Sequence, residues 1–202
     1  MNLALDINVI LVQPQYAINV GYTARLCKIF QVKELIVVSP ACDIYCHEAQ
    51  LAATHGEHNL KNSIVVHKLS EARKYCHTLA AFSAQVGGQH LCSSILRTPW
   101  DVEDFAKQIC SRSSERKPAC TDKGPCQNEV CNSNSYSVGL VFGREASGLL
   151  NTEIKTCDFL VIFQSRVGSV WFTQLQASAY TYVYSHSHTE RALQKKTRGE
   201  RE

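Results

Sequence analysis

No apolar run in this sequence comes near the roughly 20 consecutive residues that a helix needs to cross a bilayer, so a helical membrane span is not read from it. The opening stretch, MNLALDINVI, carries no basic residue ahead of its apolar ones. Neither a signal nor a transit peptide is therefore read there, and a soluble, cytoplasmic protein is the expectation. Charge of one sign is also scarce: 21 Lys and Arg stand against 18 Asp and Glu, for a net charge of +3. That balance permits a nucleic-acid partner without demanding one, because the effect depends on where the charge lies. Among Cys110, Cys120, Cys126 and Cys131 the close Cys-x-x-Cys pair that marks a zinc site is missing; the gaps are nine, five and four residues. No metal is expected. There is no internal repeat.

What is present is an ordinary globular balance of 45% apolar and 19% charged residues over 202 residues, enough for one sizeable core. The ten cysteines fit that core. Cys27, Cys76 and Cys110 fall in helix-like apolar patterns, where a free thiol behaves as a small hydrophobe.

Strand and helix patterns alternate. INVILV (7–12), ELIVV (34–38), SIVV (63–66), TLAAFSA (78–84), SVGLVF (137–142) and FLVIF (159–163) read as buried strands. Helices are expected after Pro14, over 45–55, over 69–76 with Ser70 as its cap, over 101–110, around 150–155 and from about 171 to 186. This order predicts an α/β domain with a mainly parallel sheet. Residues 1–190 are expected to form a single domain, with a flexible insertion over 111–135 and a short polar, basic tail over 191–202.

Three segments at the C-terminal ends of predicted strands concentrate polar chemistry, which is where open α/β sheets bind ligands. They are NVGYTAR with Asn19 and Arg25, FGREASG after the strand ending at Phe142, and IFQSRVGSVWFTQ after the strand at 159–163. Each has a purely structural explanation: Asn19 as a helix cap, Gly143 as a tight turn, Arg144 and Glu145 as an exposed ion pair. From residue chemistry alone the set defines an α/β enzyme or nucleotide-binding domain.

Taken with VILVQPQYAINVGYTARLCKIFQVKELIVVSP, AFSA, LRTPW and LVFGREASGLLNTEIKTCDFLV, the chain resembles the SpoU (TrmH) methyltransferases of the SPOUT superfamily, and within it the TrmJ-like tRNA ribose methyltransferases. The resemblance covers roughly residues 7–110 and 137–185. It implies an α/β knot, a Rossmann-like sheet with a C-terminal deep trefoil knot, acting as a homodimer with active sites at the subunit interface. It implies S-adenosylmethionine-dependent 2′-O-methylation of RNA, with tRNA the expected substrate and no metal. By the same resemblance the cofactor is held by Ser83, Ala84, Phe142, Gly143, Ile162, Ser169, Val170 and Trp171. The catalytic set is Arg25, Asn19, Glu145 and Ser169, with Glu145 orienting polar groups near the hydroxyl. Arg25, Arg97 and Arg144 are the implied RNA contacts. Gly143 is expected to lie where a side chain would collide with cofactor.

The chain departs from the family where the third motif usually reads Ser-Leu-Asn: here it is Ser169-Val170-Trp171, and its approach, FQSRVG, has no proline. Tryptophan cannot make the hydrogen bonds of the asparagine. A homologue that binds RNA without modifying it is therefore carried as the alternative.

Overall fold

Strand β1 (Ala4–Val12) lies at the centre of the computed structural model, which describes residues 4–83, 98–115 and 135–162. Val9 and Leu11 point into one apolar cluster and Ile10 and Val12 into another, each at most 2% exposed. A strand buried on both faces needs a sheet covered on both sides, and its continuous β-branched run is the sequence form of that demand.

The sheet has seven strands in the order β3-β2-β1-β6-β4-β7-β5, and each of these strand pairs is parallel. Its members besides β1 are β2 (Glu34–Val38), β3 (Ile64–Val66), β4 (Thr78–Ser83), β5 (Trp100–Asp101), β6 (Ser135–Phe142) and β7 (Phe159–Ile162). The chain runs outward through β2 and β3, then crosses to the far side, and β6 inserts between β1 and β4. Such a switch point leaves a crevice at the carboxyl ends of the strands.

One face is covered by α1 (Ala17–Ile29), α2 (His47–Ala53), α3 (Glu57–Lys61) and α4 (Val102–Glu115). The other is covered by a 3-10 helix (Leu69–Lys74) and α5 (Asn151–Thr156). Among the described residues no helix is long and apolar enough to cross a membrane. Cys27, Cys76 and Cys110 are buried in the core, as their patterns imply.

Several boundaries differ from the sequence reading. Strand β1 starts at Ala4, and Asp6 in its extension is satisfied by distant partners, accepting from Lys33 Nζ at 2.6 Å and from Ser135 Oγ at 2.5 Å. The helix expected over 69–76 is instead the 3-10 helix, with Leu69 and Ala72 buried three apart, the period of that helix. Ser70 does not cap it; Lys68 holds that position. The helix expected over 45–55 breaks at Thr54, whose φ is +45°, and resumes after Gly56. Gly56 abuts α1, and a Cβ there would lie 2.5 Å from Ala24 O. Helix α4 continues past Cys110 to Glu115, and the two-residue β5 beside β7 has no counterpart in the sequence reading. The rest of the expected insertion, the knot-forming loop, the final helix and the tail lie outside the described residues.

Candidate active site at the strand ends

The turn after β6 is built by two glycines. Arg144 and Gly148 form an antiparallel bridge, with Arg144 N donating to Gly148 O at 3.1 Å and Gly148 N donating to Arg144 O at 2.9 Å. Gly148 closes it at φ +67°, a left-handed conformation that glycine adopts without steric cost. The returning chain then crosses directly over Gly143, where a Cβ would come within 2.1 Å of Gly148 C and 2.3 Å of Leu149 N. The glycine is thus required by the turn itself. The steric reason expected from the sequence, collision with a ligand, is preceded by collision with the chain.

This turn aims two charges in different directions. Arg144 turns inward: Nε donates to Gln13 Oε1 at 2.8 Å, Nη2 also donates to Gln13 Oε1, and Nη1 and Nη2 donate to the Glu153 carboxylate at 3.1 and 3.0 Å. The Arg144–Glu153 pair is only 13% and 16% exposed, so it is a structural link from β6 to α5 and the end of β1. The exposed ion pair of Arg144 with Glu145 is not formed, and the guanidinium expected to meet RNA phosphate is committed within the fold.

Glu145 reaches the start of α1. Its carboxylate accepts from Gln15 N at 2.9 Å, from Tyr16 N at 3.4 Å and from Asn19 Nδ2 at 3.0 Å. Helix α1 has no side-chain cap and no acidic residue in its first turn. A carboxylate from a distant turn therefore supplies the negative charge that the positive end of this helix favours. Asn19 is not the cap; it sits inside the first turn, and its amide is oriented by Glu145 with Nδ2 toward the carboxylate. Its Oδ1 has no hydrogen-bond partner among the described residues and is left as an acceptor. Burial, and after it the Glu145 carboxylate, push the thiol of the nearby Cys42 up, so it remains protonated at neutral pH.

Arg25 is not brought to this pair. Six residues further along α1 it is displaced by about 9 Å along the axis and rotated off the face of Asn19. It is exposed and makes no hydrogen bond or ion pair among the described residues. Tyr22, Arg25 and Ile29 share one exposed helix face, with Tyr22 39% and Ile29 58% exposed.

Three other expected residues end adjacent strands: Ser83 on β4 is level with Ile162 on β7, and Phe82 with Phe142 on β6. Phe142 and Ile162 bury their side chains in the core, so only their backbone groups face the strand ends. Ala84, Arg97, Ser169, Val170 and Trp171 lie outside the described residues. The sequence reading missed Gln13 and Glu153, which hold Arg144, and the amides of Gln15 and Tyr16. No local spacing could reveal the contacts of Gln13, Gln15 and Tyr16, which span 129 to 131 residues, whereas Arg144 and Glu153 are only nine apart.

The fold and these strand ends define a parallel α/β domain with a topological switch point at β1, β6 and β4, flanked by a carboxylate-oriented amide. The chain belongs to the SpoU rRNA Methylase family, whose model matches residues 6–169. It is 32% identical over 155 residues to the tRNA (cytidine-2′-O-)-methyltransferase TrmJ of Methanocaldococcus jannaschii, covering 77% of this chain and 56% of that protein. The chain spans about half the length of the curated relatives it matches. Its fold is that of the “Probable Methyltransferase” of Bordetella pertussis Tohama I, with a TM-score of 0.70, 22% identity, and coverage of 90% of this chain and 95% of that one. It is also that of the SpoU methyltransferase AviRb from Streptomyces viridochromogenes in complex with AdoMet, with a TM-score of 0.59, 16% identity, and coverage of 92% and 58%.

Proposed function

We propose that this chain transfers a methyl group from S-adenosylmethionine to a ribose 2′-hydroxyl of RNA, with tRNA as the substrate, and that it does so as a homodimer. The observation that carries this reading is the Asn19–Glu145 hydrogen bond of 3.0 Å, set beside the aligned ends of β4, β6 and β7. Family membership supports methyl transfer, and the TrmJ relatives support tRNA.

The aligned ends fit the cofactor's polar edges, because Ser83, the backbone at Phe142 and Gly143, and the backbone at Ile162 meet at one rim. Ala84, Ser169, Val170 and Trp171 complete that set in this reading. When bound, S-adenosylmethionine supplies an electrophilic methyl group on a sulfonium centre. The chain's own work is to present the hydroxyl. Asn19 Oδ1, its direction fixed by Glu145, accepts a hydrogen bond from the hydroxyl and fixes the attack line, and the hydroxyl proton passes to solvent water as the O–CH3 bond forms. The family resemblance adds Ser169 to this catalytic set. Arg25 stabilises the negative charge that develops on the attacking oxygen, a role suited to a guanidinium that stays protonated.

Arg25 stands apart from Asn19 in its own chain, and the exposed Tyr22–Arg25–Ile29 face is the surface we assign to the dimer. Each Arg25 then serves the partner subunit's site. Complementation tests this. Arg25→Ala and Asn19→Ala are each expected to abolish methyl transfer. Their mixture, re-equilibrated as dimers, regains roughly a quarter of the wild-type rate, since half the dimers are mixed and one of their two sites is intact. A mixture as inactive as its components contradicts the shared site.

A further inference from the structure

A cleft of about 260 Å³ opens at the C-terminal ends of β1, β2 and β3, on the face of the sheet opposite α1. None of the residues assigned above to cofactor or hydroxyl lines it. Its floor is apolar, made by Val12, Val38 and Leu69, and its rim is polar.

Several donors on the rim are without partners among the described residues. Gln13 Oε1 is taken by Arg144, which leaves its Nε2 donors without a partner among the described residues. Lys68 Nζ, Ser70 Oγ and Thr152 Oγ1 are likewise without partners there. Glu153, the one carboxylate on the rim among the described residues, already accepts from Arg144 and from Leu150 N at 2.7 Å. Once that ion pair cancels, the remaining charge is the positive Lys68. A group with several acceptor oxygens and negative charge complements this set.

The backbone gives an independent sign. Gln13 and Ser39 end adjacent strands, both line the cleft, and both adopt left-handed φ values, +48° and +42°. Their amides remain in the ladder, Gln13 N donating to Val38 O at 2.8 Å and Ser39 N to Val66 O at 2.9 Å. Strain of this kind in residues other than glycine collects where a fold holds a ligand.

We propose that this cleft binds a phosphate group, and that the phosphate is one of the RNA backbone close to the modified nucleotide. Arg144 bridges the two places, since it contacts Gln13 and Glu153 on the cleft and adjoins Glu145 at the site. The RNA source rests on the methyltransferase reading, while the phosphate chemistry does not. Titrating the full chain with inorganic phosphate and following backbone amide resonances tests the chemistry. Saturable shifts at Gln13, Ser39 and Lys68, lost in Lys68→Glu, are expected; their absence overturns the site. Binding of unfractionated tRNA tests the source. Lys68→Glu is expected to weaken it about tenfold and to reduce its salt slope by about one, with S-adenosylmethionine affinity unchanged. Phosphate shifts with unaltered tRNA affinity and slope overturn RNA as the source. If the wild type ignores tRNA altogether, the methyltransferase reading and the RNA source both fail, and the phosphate titration still decides the site.

Discussion

Gly143 and Glu145 stand two residues apart and depend on different parts of the chain. Gly143 is fixed by the backbone that crosses it, so Gly143→Ala is expected to cost about 3 kcal/mol of stability, read as a lowered urea midpoint. Cofactor binding falls with it, which makes this variant a probe of the turn rather than of the ligand. A Gly143→Ala protein as stable as wild type would contradict the steric explanation. Glu145 acts through three donors. Glu145→Gln keeps the shape but turns an NH2 group toward a donor, and loses about 1–2 kcal/mol. Its kcat is expected to fall on the order of a hundredfold, because the Asn19 amide is released. Single-turnover methyl transfer measures this, and a kcat within a factor of two of wild type would remove Glu145 from the site. Both residues stand out in the sequence because glycine and paired charges rarely end a buried strand. The backbone partners of Glu145 do not, since the amides of Gln15 and Tyr16 meet this turn only after folding.

Helix α1 carries the candidate catalytic side chains, and its seat depends on small residues. A Cβ at Gly21 would come 2.3 Å from Ala49 O, and Gly56 meets α1 as closely at Ala24. Gly21→Ala is therefore expected to push α1 from α2 at a cost of about 1–3 kcal/mol and to lower methyl transfer more than cofactor affinity. Denaturation and calorimetry separate the two effects; equal losses would contradict it. Elements differ in how openly the sequence announces them. Residues 34–38 are all strand because a β-branched run buried on both faces allows little else. Residues 69–74 look helical, yet the short span leaves room only for a 3-10 helix with two buried anchors. Trp100–Asp101 gives no signal, since two residues hold no period and only β7 makes them a strand. Asn19 and Arg25 lie on different faces of α1 for a geometric reason: six residues on a helix do not return to one face.

At the scale of the molecule, the buried thiols predict how stability varies with pH. Burial pushes the pKa of the Cys76 thiol up to about 11, and that of Cys27 upward as well. Desolvation of the charged form is the leading cause for both, and Asn8 Nδ2 donating to Cys76 Sγ only partly offsets it for Cys76. A folded-state pKa raised above the unfolded value means that the contribution is fully present below about pH 9 and is lost as the pH rises, because the unfolded chain gives up these protons first. Stability is expected to fall between about pH 9 and about pH 11, with each thiol adding at most about 1.4 kcal/mol per pH unit to the slope. Urea titrations should show a shallower decline for Cys76→Ala than for wild type; identical slopes would contradict the assignment. The parallel order of the sheet follows from alternating strand and helix patterns. The insertion of β6 between β1 and β4 does not, because strand order is set by which faces can be covered rather than by any local motif. That insertion is what places the Glu145 turn beside the start of α1, and so brings the candidate site together.

Methyl transfer to a ribose hydroxyl is the step on which every proposed role rests. It is tested by incubating the purified chain with S-adenosylmethionine carrying a labelled methyl group and unfractionated tRNA, followed by nuclease digestion and mass analysis of the nucleosides. Label is expected in a 2′-O-methylnucleoside with wild type and in none with Arg25→Ala. A folded wild-type chain that binds S-adenosylmethionine and tRNA yet leaves every ribose unlabelled would overturn the proposed function.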